Sequence, residues 1–224
     1  ELKIDGDSVD VEMRITEGKP ATFNNIIING NTITSEKIAR RALYTRPGYL
    51  FSQSDFERSL RELASIGHLE AERAYSEAGY TLLPNQQNNT VDIAYNLAEK
   101  PNSQLELSGG WGGDTFVGTL GVSFNNFSVR RMFEKGAWRP VPLGDGQTLS
   151  IRFQTNGTYY TALSLSFMEP WLTGKKPTSL NFSAYYTRQT NSYYFYQKSD
   201  EYMEVAGIAL GIGTRLKWPD DYFV

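Results

Sequence analysis

Residues 103–218 alternate between apolar and polar positions in six stretches, each bounded by turn-forming sequences. In the first stretch, Leu105 and Leu107 alternate with Glu106 and Ser108. Because successive side chains of a β-strand point to opposite faces, this period of two predicts strands with one apolar face and one polar or small face. The predicted strands cover residues 103–113, 116–128, 147–155, 159–169, 180–190 and 204–218.

Strands of this length and pattern are typical of a membrane β-barrel wall, although a soluble sandwich also alternates. Two further features favour the membrane. Short polar tips alternate with Pro-rich turns, and aromatic residues gather at strand ends, where barrels have interfacial girdles. The predicted membrane-interface aromatics are Trp111, Trp171, Tyr193, Tyr194 and Trp218, with Phe195, Tyr196, Tyr222 and Phe223 nearby.

The first hundred residues differ, because helical and strand periods are mixed there. Val9, Val11, Met13 and Ile15 alternate with polar residues and predict one strand, which stops at residues 17–20. From residue 20 onwards the pattern predicts the order β-α-α-β-β, an α+β module of about 80 residues. Its strands are predicted at 23–28, 69–74 and 91–97, and its helices after caps at Thr34 and Ser52, the second ending at Gly67.

Composition narrows the function classes. The chain has 224 residues, a net charge of −3 and 14 tyrosines, which is rich in aromatics for a soluble domain and gives no indication of a nucleic-acid partner. The absence of Cys excludes disulfides, thiolate metal sites and cysteine nucleophiles. No apolar run is long enough for a transmembrane helix, and no signal peptide is visible.

No catalytic site is expected. The single histidine, His68, follows Gly67 at a helix end and is interpreted as structural. It is the one candidate base for a hydrolase triad, and it lies outside the strand-rich half. The glycines at 207, 211 and 213 precede no helix, which argues against a phosphate-binding loop. We therefore expect no enzyme activity, no metal and no cofactor.

Several segments resemble the BamA family of outer-membrane assembly proteins. Residues 15–19 and 26–31 resemble the start of a POTRA domain, residues 53–70 its second helix, and residues 91–100 its last strand. The sequences Phe-Asn-Asn-Phe at 124–127 and Met-Glu-Pro-Trp-Leu at 168–172 resemble strand ends of the BamA barrel. The long turn at 131–146, with Trp-Arg-Pro at 138–140, resembles Bacteroidota versions of the family.

This resemblance implies a fold of an α+β POTRA domain followed by about six antiparallel strands of a sixteen-stranded transmembrane barrel. It implies that residues 1–18 end a preceding POTRA domain, 19–101 form the final POTRA domain, and 102–224 begin the barrel. The family's Arg-Gly motif and closing strand are expected beyond Val224. The basic cluster Arg130, Arg131 and Lys135 is expected in a periplasmic turn, with lipid or partner contact as an open alternative to solvation.

The implied function is the folding and insertion of outer-membrane proteins, with the POTRA part in the periplasm. The partners would be unfolded outer-membrane clients, lipoproteins of the assembly machinery and outer-membrane lipids. The resemblance assigns client pairing to the edge of the first barrel strand, and the glycines within it suggest a weak seam. The predicted pairing residues are Gln104, Leu105, Glu106, Leu107, Ser108, Gly109 and Gly110.

Two alternatives stay open. A two-partner secretion pore or a TamA-type assembly module would share this architecture. A small passive porin with a soluble adaptor would need a barrel that closes with few strands. For Gly109 and Gly110 the competing interpretation is a purely structural role in a tight connection, and for the POTRA domain it is a passive spacer.

Overall fold

The chain forms an N-terminal hairpin, a mixed α/β module and a six-stranded antiparallel sheet in a computed structural model. The structure describes residues 2–5, 8–11, 13–15, 18–101, 103–112, 115–138, 141–157, 159–174, 176–191 and 201–216. No helix in these ranges is both long and apolar enough to cross a membrane.

The N-terminal hairpin pairs strand β1, Leu2–Asp5, with β2, Ser8–Val11, in antiparallel order. The pairing ends where Leu2 meets Val11, so the alternating pattern beyond this point has no partner strand within the described residues. Met13 and Ile15 lie outside any strand and are exposed. The prediction of one strand running from residue 9 to 15 is therefore wrong in its second half.

The α/β module has its strands on one layer and its helices on the other. Its sheet has the order β3-β5-β4, in which β3 and β5 are parallel and β4 and β5 antiparallel. The elements, in chain order, are β3 (Thr22–Asn29), α1 (Glu36–Ala42), α2 (Gln53–Ser65), α3 (Ala71–Tyr75), β4 (Tyr80–Asn85) and β5 (Thr90–Asn96).

The module's core forms where the central strand meets the second helix. In β5 every second side chain is buried, from Val91 to Tyr95, because this strand is covered on one face by helices. In α2 the side chains of Phe56, Leu60 and Leu63 recur at helical spacing and join this core. The Ser52 side chain accepts the backbone N–H of Asp55, as predicted for the N-cap of this helix.

Two local predictions in the module are wrong. Residues 69–74 do not form a strand, because Ala71–Tyr75 turns into the short helix α3. The strand that follows the helices is β4, at Tyr80–Asn85, later in the chain than predicted. It lies at the sheet edge and therefore tolerates the missing N–H of Pro84. Thr34 is not a helix cap: α1 follows Ser35, and the buried Thr34 hydroxyl is bonded elsewhere.

The second half of the described chain is one antiparallel sheet, with the order β11-β10-β9-β8-β7-β6. All six strands predicted from the period of two are present, and each pairs with its neighbour in sequence. Their bounds are β6 (Ser103–Gly112), β7 (Thr115–Phe127), β8 (Gln147–Asn156), β9 (Tyr160–Glu169), β10 (Thr178–Thr190) and β11 (Tyr202–Thr214). The predicted end of the last strand, residues 217–218, lies outside the described residues.

The register gathers apolar side chains into rows that cross the whole sheet. One row is Leu105, Val122, Ile151, Leu165, Ala184 and Ile208, and the row beside it on the other face is Gln104, Ser123, Ser150, Ser166, Ser183 and Ala209. The apolar face is uncovered in the described structure: Leu107 is 76% exposed and Ile208 73% exposed. An antiparallel sheet with one exposed apolar face is the arrangement expected of a lipid-facing barrel wall.

We predict that Gly30→Ala destabilises the α/β module. Gly30 has φ +87°, and a Cβ atom there would lie 2.0 Å from the carbonyl oxygen of Leu97. Strain and displacement of the strand end should together cost on the order of 2 kcal/mol or more. The measurement is the opening free energy of β5 amides by hydrogen exchange, with Gly67→Ala as control, because a Cβ there meets nothing within 4 Å. Equal effects of the two substitutions would contradict the argument.

Candidate functional site at the exposed strand edge and its junction with the α/β module

The predicted pairing residues lie on β6, which forms one edge of the sheet in the described part of the chain. Residues 104–110 are exposed on both faces of the strand. The apolar face carries Leu105, Leu107 and Trp111, and the opposite face carries Glu106 and Ser108. The prediction that this strand presents an edge is consistent with its position, while client pairing itself stays a prediction.

The direction of the β6 backbone follows from one hydrogen bond on the far side of β7. The N–H of Gly157 donates to the carbonyl of Phe116 at 2.6 Å, so the backbone groups of Phe116 face β8. Backbone direction alternates along a strand, and therefore Val117 faces β6 and bonds with Gly110, its register partner. The register has no bulge, so even-numbered residues 104–110 bond to β7, whereas Leu105, Leu107 and Gly109 turn their N–H and C=O groups outward.

A packing reason exists for one of the two strand glycines. A Cβ atom at Gly109 would lie 3.1 Å from Cζ of Phe116, whose ring also covers the paired Gly118. Gly109 therefore leaves space for an aromatic ring across the strand pair. At Gly110 a Cβ would meet nothing within 4 Å, so packing does not require glycine there.

An ion pair links the edge strand to the strand beyond its neighbour. Arg152 Nη2 on β8 donates to Glu106 Oε2 at 2.7 Å, passing over Gly121 of β7. Both side chains are about half exposed, so in water the pair contributes roughly 0–1 kcal/mol. On the inner face of the wall it orients Glu106 away from the outward backbone groups.

The junction between the sheet and the α/β module is built around Asn126, which is 1% exposed. Its side chain donates to the Thr34 hydroxyl at 2.9 Å and accepts the N–H of Gly146 at 2.9 Å. Its backbone carbonyl accepts the N–H of Gly144 at 2.7 Å, and the Gly144 carbonyl accepts the N–H of Ser35 at 2.9 Å. One buried amide thus joins β7, the turn after it and the loop before α1.

Glu99 orders the module's side of this junction. Its carboxylate accepts the Thr32 hydroxyl and the backbone N–H groups of Thr32, Ile33 and Thr34. Although partial burial opposes ionisation, these hydrogen bonds lower the pKa of Glu99 to about 2. The charged carboxylate therefore holds residues 32–34 in the shape that the sheet contacts.

Further contacts fasten the far strands. Arg215, just after β11, donates to the Tyr44 hydroxyl at 3.0 Å and to Glu62 Oε1 at 2.7 Å. The Arg41 guanidinium of α1 lies over the Trp171 ring, 4.8 Å from its centroid. The two contacts attach the chain just after β9 and just after β11 to the module, and the junction bonds named here do not involve residues 104–110 of β6.

His68 lies inside the junction, as a structural residue would. It is buried beside a cavity of about 440 Å³ that Ile38, Arg41, Gly146 and Trp171 help to line. Burial lowers the pKa of His68 and favours its neutral form. In the described residues no group of three or more His, Cys, Asp or Glu side chains is arranged to hold a metal ion.

The predicted interface aromatics are placed differently from one another. Trp111 is exposed on the apolar face, at the end of the sheet away from the module. Trp171 is half-buried against Arg41 at the opposite end. Tyr193, Tyr194 and Trp218 lie outside the described residues, so their interfacial role remains a prediction.

We predict that Glu99→Gln loosens the junction. Loss of the charge should weaken the bonds to residues 32–34 by about 1–2 kcal/mol, because the carboxylate is only partly buried. The amide of Ser35, which donates to Gly144, should then exchange its hydrogen faster. Asp92→Asn is the control, since Asp92 binds Asn24 and Asn25 away from the junction. Unchanged Ser35 protection in Glu99→Gln would reject the role of Glu99.

The pH dependence of the same group has a definite sign. The pKa of Glu99 is lowered on folding, so its stabilisation is complete above its ordinary value of 4.5 and is lost as the pH falls through about 2. Thermal unfolding should show that stability falls as the pH is lowered from 4.5 to about 2, and that this fall is smaller in Glu99→Gln than in the parent protein. An equal acid loss in both proteins would contradict the assignment.

Comparisons with known proteins agree with this architecture. Residues 21–100 match the POTRA family (surface antigen variable number repeat), and residues 142–221 match the Omp85 superfamily domain. The outer membrane protein assembly factor BamA of Neisseria meningitidis serogroup B is 26% identical over 179 residues, and the match covers 80% of this chain. A Treponema pallidum relative is 26% identical over 171 residues, covering 76% of this chain. The matches span 20% and 18% of those relatives' own lengths.

Solved structures share the fold. BamA from Haemophilus ducreyi lacking POTRA domains 1–3 superposes with a TM-score of 0.61 at 20% identity, covering 95% of this chain and 36% of that one. CdiB from Acinetobacter baumannii superposes with a TM-score of 0.52 at 14% identity, covering 88% and 34%. The chain thus has a POTRA-like α/β region followed by strands arranged as in the BamA barrel. The two matched regions, residues 21–100 and residues 142–221, are thus similar to the POTRA family and to the Omp85 superfamily domain, respectively.

Proposed function

We propose that this chain is the membrane-proximal POTRA domain and the first barrel strands of an outer-membrane assembly protein of the BamA type. In this proposal the sheet stands in the outer membrane, the POTRA domain lies in the periplasm, and the whole protein folds and inserts barrel proteins. The names of the Neisseria relative and the Haemophilus structure support the assembly role, because both are BamA proteins.

The observation that carries the proposal is the outward backbone of Leu105, Leu107 and Gly109. In hydrocarbon an unpaired N–H or C=O is costly, so a strand edge in the membrane attracts another strand. A client strand can pair there through its backbone, largely independently of its side chains, as in β-augmentation. Exposed Leu105 and Leu107 would face lipid beside the newly paired strand.

The junction supports movement of the edge strand relative to the rest of the wall. Strands β7 to β11 are attached to the POTRA domain through Asn126, Trp171 and Arg215. Residues 104–110 of β6 are held by the ladder to β7 and by the Glu106–Arg152 pair. We infer that β6 can tilt away or accept a partner while the remaining strands keep their position over the POTRA domain.

The POTRA sheet offers a second edge, which we propose for unfolded clients or lipoprotein subunits. The outer side of β3 is partly covered, because Phe23 N–H donates to Tyr49 and Phe51 N–H donates to Ala21. Strand β4 forms the opposite edge, and its Leu83 side chain is exposed. Pro84 limits this edge to a short stretch of pairing.

We predict that a cysteine at Leu105 in the full-length protein forms disulfide or bismaleimide crosslinks with nascent barrel clients during their insertion. The control is Ile151→Cys, which lies in the same apolar row but in a strand already paired on both sides. This chain contains no native Cys that would compete. Equal client adducts at both positions would reject the edge. Adducts with a secreted passenger instead of a barrel protein would favour the secretion-pore alternative.

A proline scan should reveal the direction of the edge. Leu107→Pro removes an N–H that faces away from β7, so the ladder to β7 is kept and the wall should fold. Client insertion should fall at least tenfold, because the outward N–H is lost. Ser108→Pro removes a ladder bond to β7 and should instead weaken the wall itself. Client insertion is measured in proteoliposomes, folding by heat-modifiable gel mobility, and Leu107→Val controls for the side chain. Wild-type insertion by a folded Leu107→Pro protein would contradict the proposal.

A further inference from the structure

The turn between β7 and β8, residues 128–146, carries exposed aromatic side chains at its tip. Phe133 is 87% exposed and Trp138 is 55% exposed. The turn leaves the sheet at the end nearest the POTRA domain, because Asn126 bonds to Thr34 there. Single exposed apolar side chains are common on protein surfaces, so these two rings become informative only together with the charge and position of the turn.

Hydrogen bonds hold the base of this turn. The N–H of buried Ser128 donates to Pro142 at 2.9 Å, and the N–H of Val129 donates to Gln147 Oε1 at 2.7 Å. Arg131 Nη1 donates to the Leu143 carbonyl at 2.7 Å. Residues Arg130–Phe133 then form a 3₁₀ turn that carries the exposed Phe133 away from this base.

The indole N–H of Trp138, at the tip of the turn, already has a hydrogen-bond acceptor within the turn. Trp138 Nε1 donates to the Met132 carbonyl at 3.1 Å. The exposed remainder of the indole is therefore apolar, and it can enter a nonpolar layer without losing a hydrogen bond. Trp171, in the next turn at this end of the sheet, differs because its ring is covered by Arg41.

The charge of the turn is opposite to that of the chain. Residues 128–146 contain the cations Arg130, Arg131, Lys135 and Arg139 and the acids Glu134 and Asp145, four minus two, a net +2 against −3 for the whole chain. Arg130 and Lys135 are exposed and precede Phe133 and Trp138 by three residues each, and Arg130 Nη2 also lies 3.5 Å from Asp145 Oδ1. A cluster of cations next to apolar rings matches a surface of phosphate groups over hydrocarbon.

The turn is also continuous with the lipid-facing side of the sheet. The apolar row nearest this end contains Phe124, Leu149, Phe167 and Phe182 in register. Three residues after Phe124 the chain leaves β7 and enters the turn. Aromatic rows of this kind are typical of the boundary between hydrocarbon and headgroups.

We propose that residues 129–138 rest in the phospholipid headgroup layer of the periplasmic leaflet. Phe133 and Trp138 enter the upper acyl region, and Arg130 and Lys135 bind lipid phosphates. This inference rests on the proposed function, because the wall must stand in a membrane for the turn to reach its surface. The Gly144 carbonyl at the base of the turn accepts the N–H of Ser35, so the anchor also sets the height of the POTRA domain below the membrane.

The test uses full-length protein in vesicles of phosphatidylethanolamine and phosphatidylglycerol, with a nitrobenzoxadiazole label on Phe133→Cys. We expect blue-shifted emission and strong quenching by lipids with a nitroxide near the headgroup. The aqueous control is Tyr75→Cys in α3 of the POTRA domain, where the tyrosine side chain is 55% exposed. The wall control is Leu107→Cys, which should be quenched by nitroxides deeper in the acyl chain.

The two control positions distinguish a failure of the headgroup anchor from a failure of the proposed membrane wall. A water-exposed label at Phe133 beside a lipid-exposed label at Leu107 overturns the anchor and leaves the wall intact. Water exposure at both sites overturns the proposed membrane wall as well. A Phe133 label shielded only when other subunits are added, without quenching by lipid nitroxides, overturns the lipid proposal in favour of a protein partner.

A charge variant tests the headgroup contact. Arg130→Gln with Lys135→Gln changes two exposed side chains, removes the exposed Arg130–Asp145 contact at 3.5 Å and leaves the Arg131 bond to Leu143 in place. We expect shallower quenching at Phe133 and loss of the extra quenching that phosphatidylglycerol causes in the parent protein. The same dependence on phosphatidylglycerol in both proteins would overturn the role of these cations.

Discussion

A strand edge in hydrocarbon needs backbone partners, and β6 and β11 are the two edges of the sheet in the described part of the chain. Strands β7 to β10 satisfy their N–H and C=O groups on both sides. Along β6, Leu105, Leu107 and Gly109 direct these groups outward. A barrel of the type that the resemblance implies would close on this edge, and closure by few or weak bonds would leave it available to a client. Recognition by backbone suits clients that share strand geometry but little sequence.

Directional polar contacts hold the same sheet to the α/β module. Asn126 bonds to the Thr34 hydroxyl, and Arg215 bonds to Glu62. Because such bonds are directional, they fix the orientation of the sheet at two separated points. Glu99 adds to this by holding the loop on which Asn126 docks. The result is an oriented junction whose strength depends on individual side chains.

The six strands of the sheet could be predicted from the sequence, because a strand with one apolar and one polar face has apolar residues at every second position. Strand β4 could not be predicted, because Pro84 and the exposed positions of an edge strand do not give an alternating pattern. The apolar residues Leu69 and Ala74 indicated a strand, but a short helix begins at Ala71. The junction was missed for another reason. Asn126 and Thr34 are 92 residues apart, and no local pattern signals such a pair. The outward edge residues were predicted as a block, but which of them face outward required the register.

The junction and the turn after β7 together decide what can move. The base of this turn bonds Ser35 of the α/β module through Gly144, while its tip, by the inference above, lies in the lipid headgroups. Glu99, in the segment that leads into β6, supports the same junction, because it holds residues 32–34 in place. Under the proposed function, the tilt of the module is therefore set by β7, by β8 and by the loop that Glu99 orders. A client strand that paired with residues 104–110 of β6 would leave these named contacts intact.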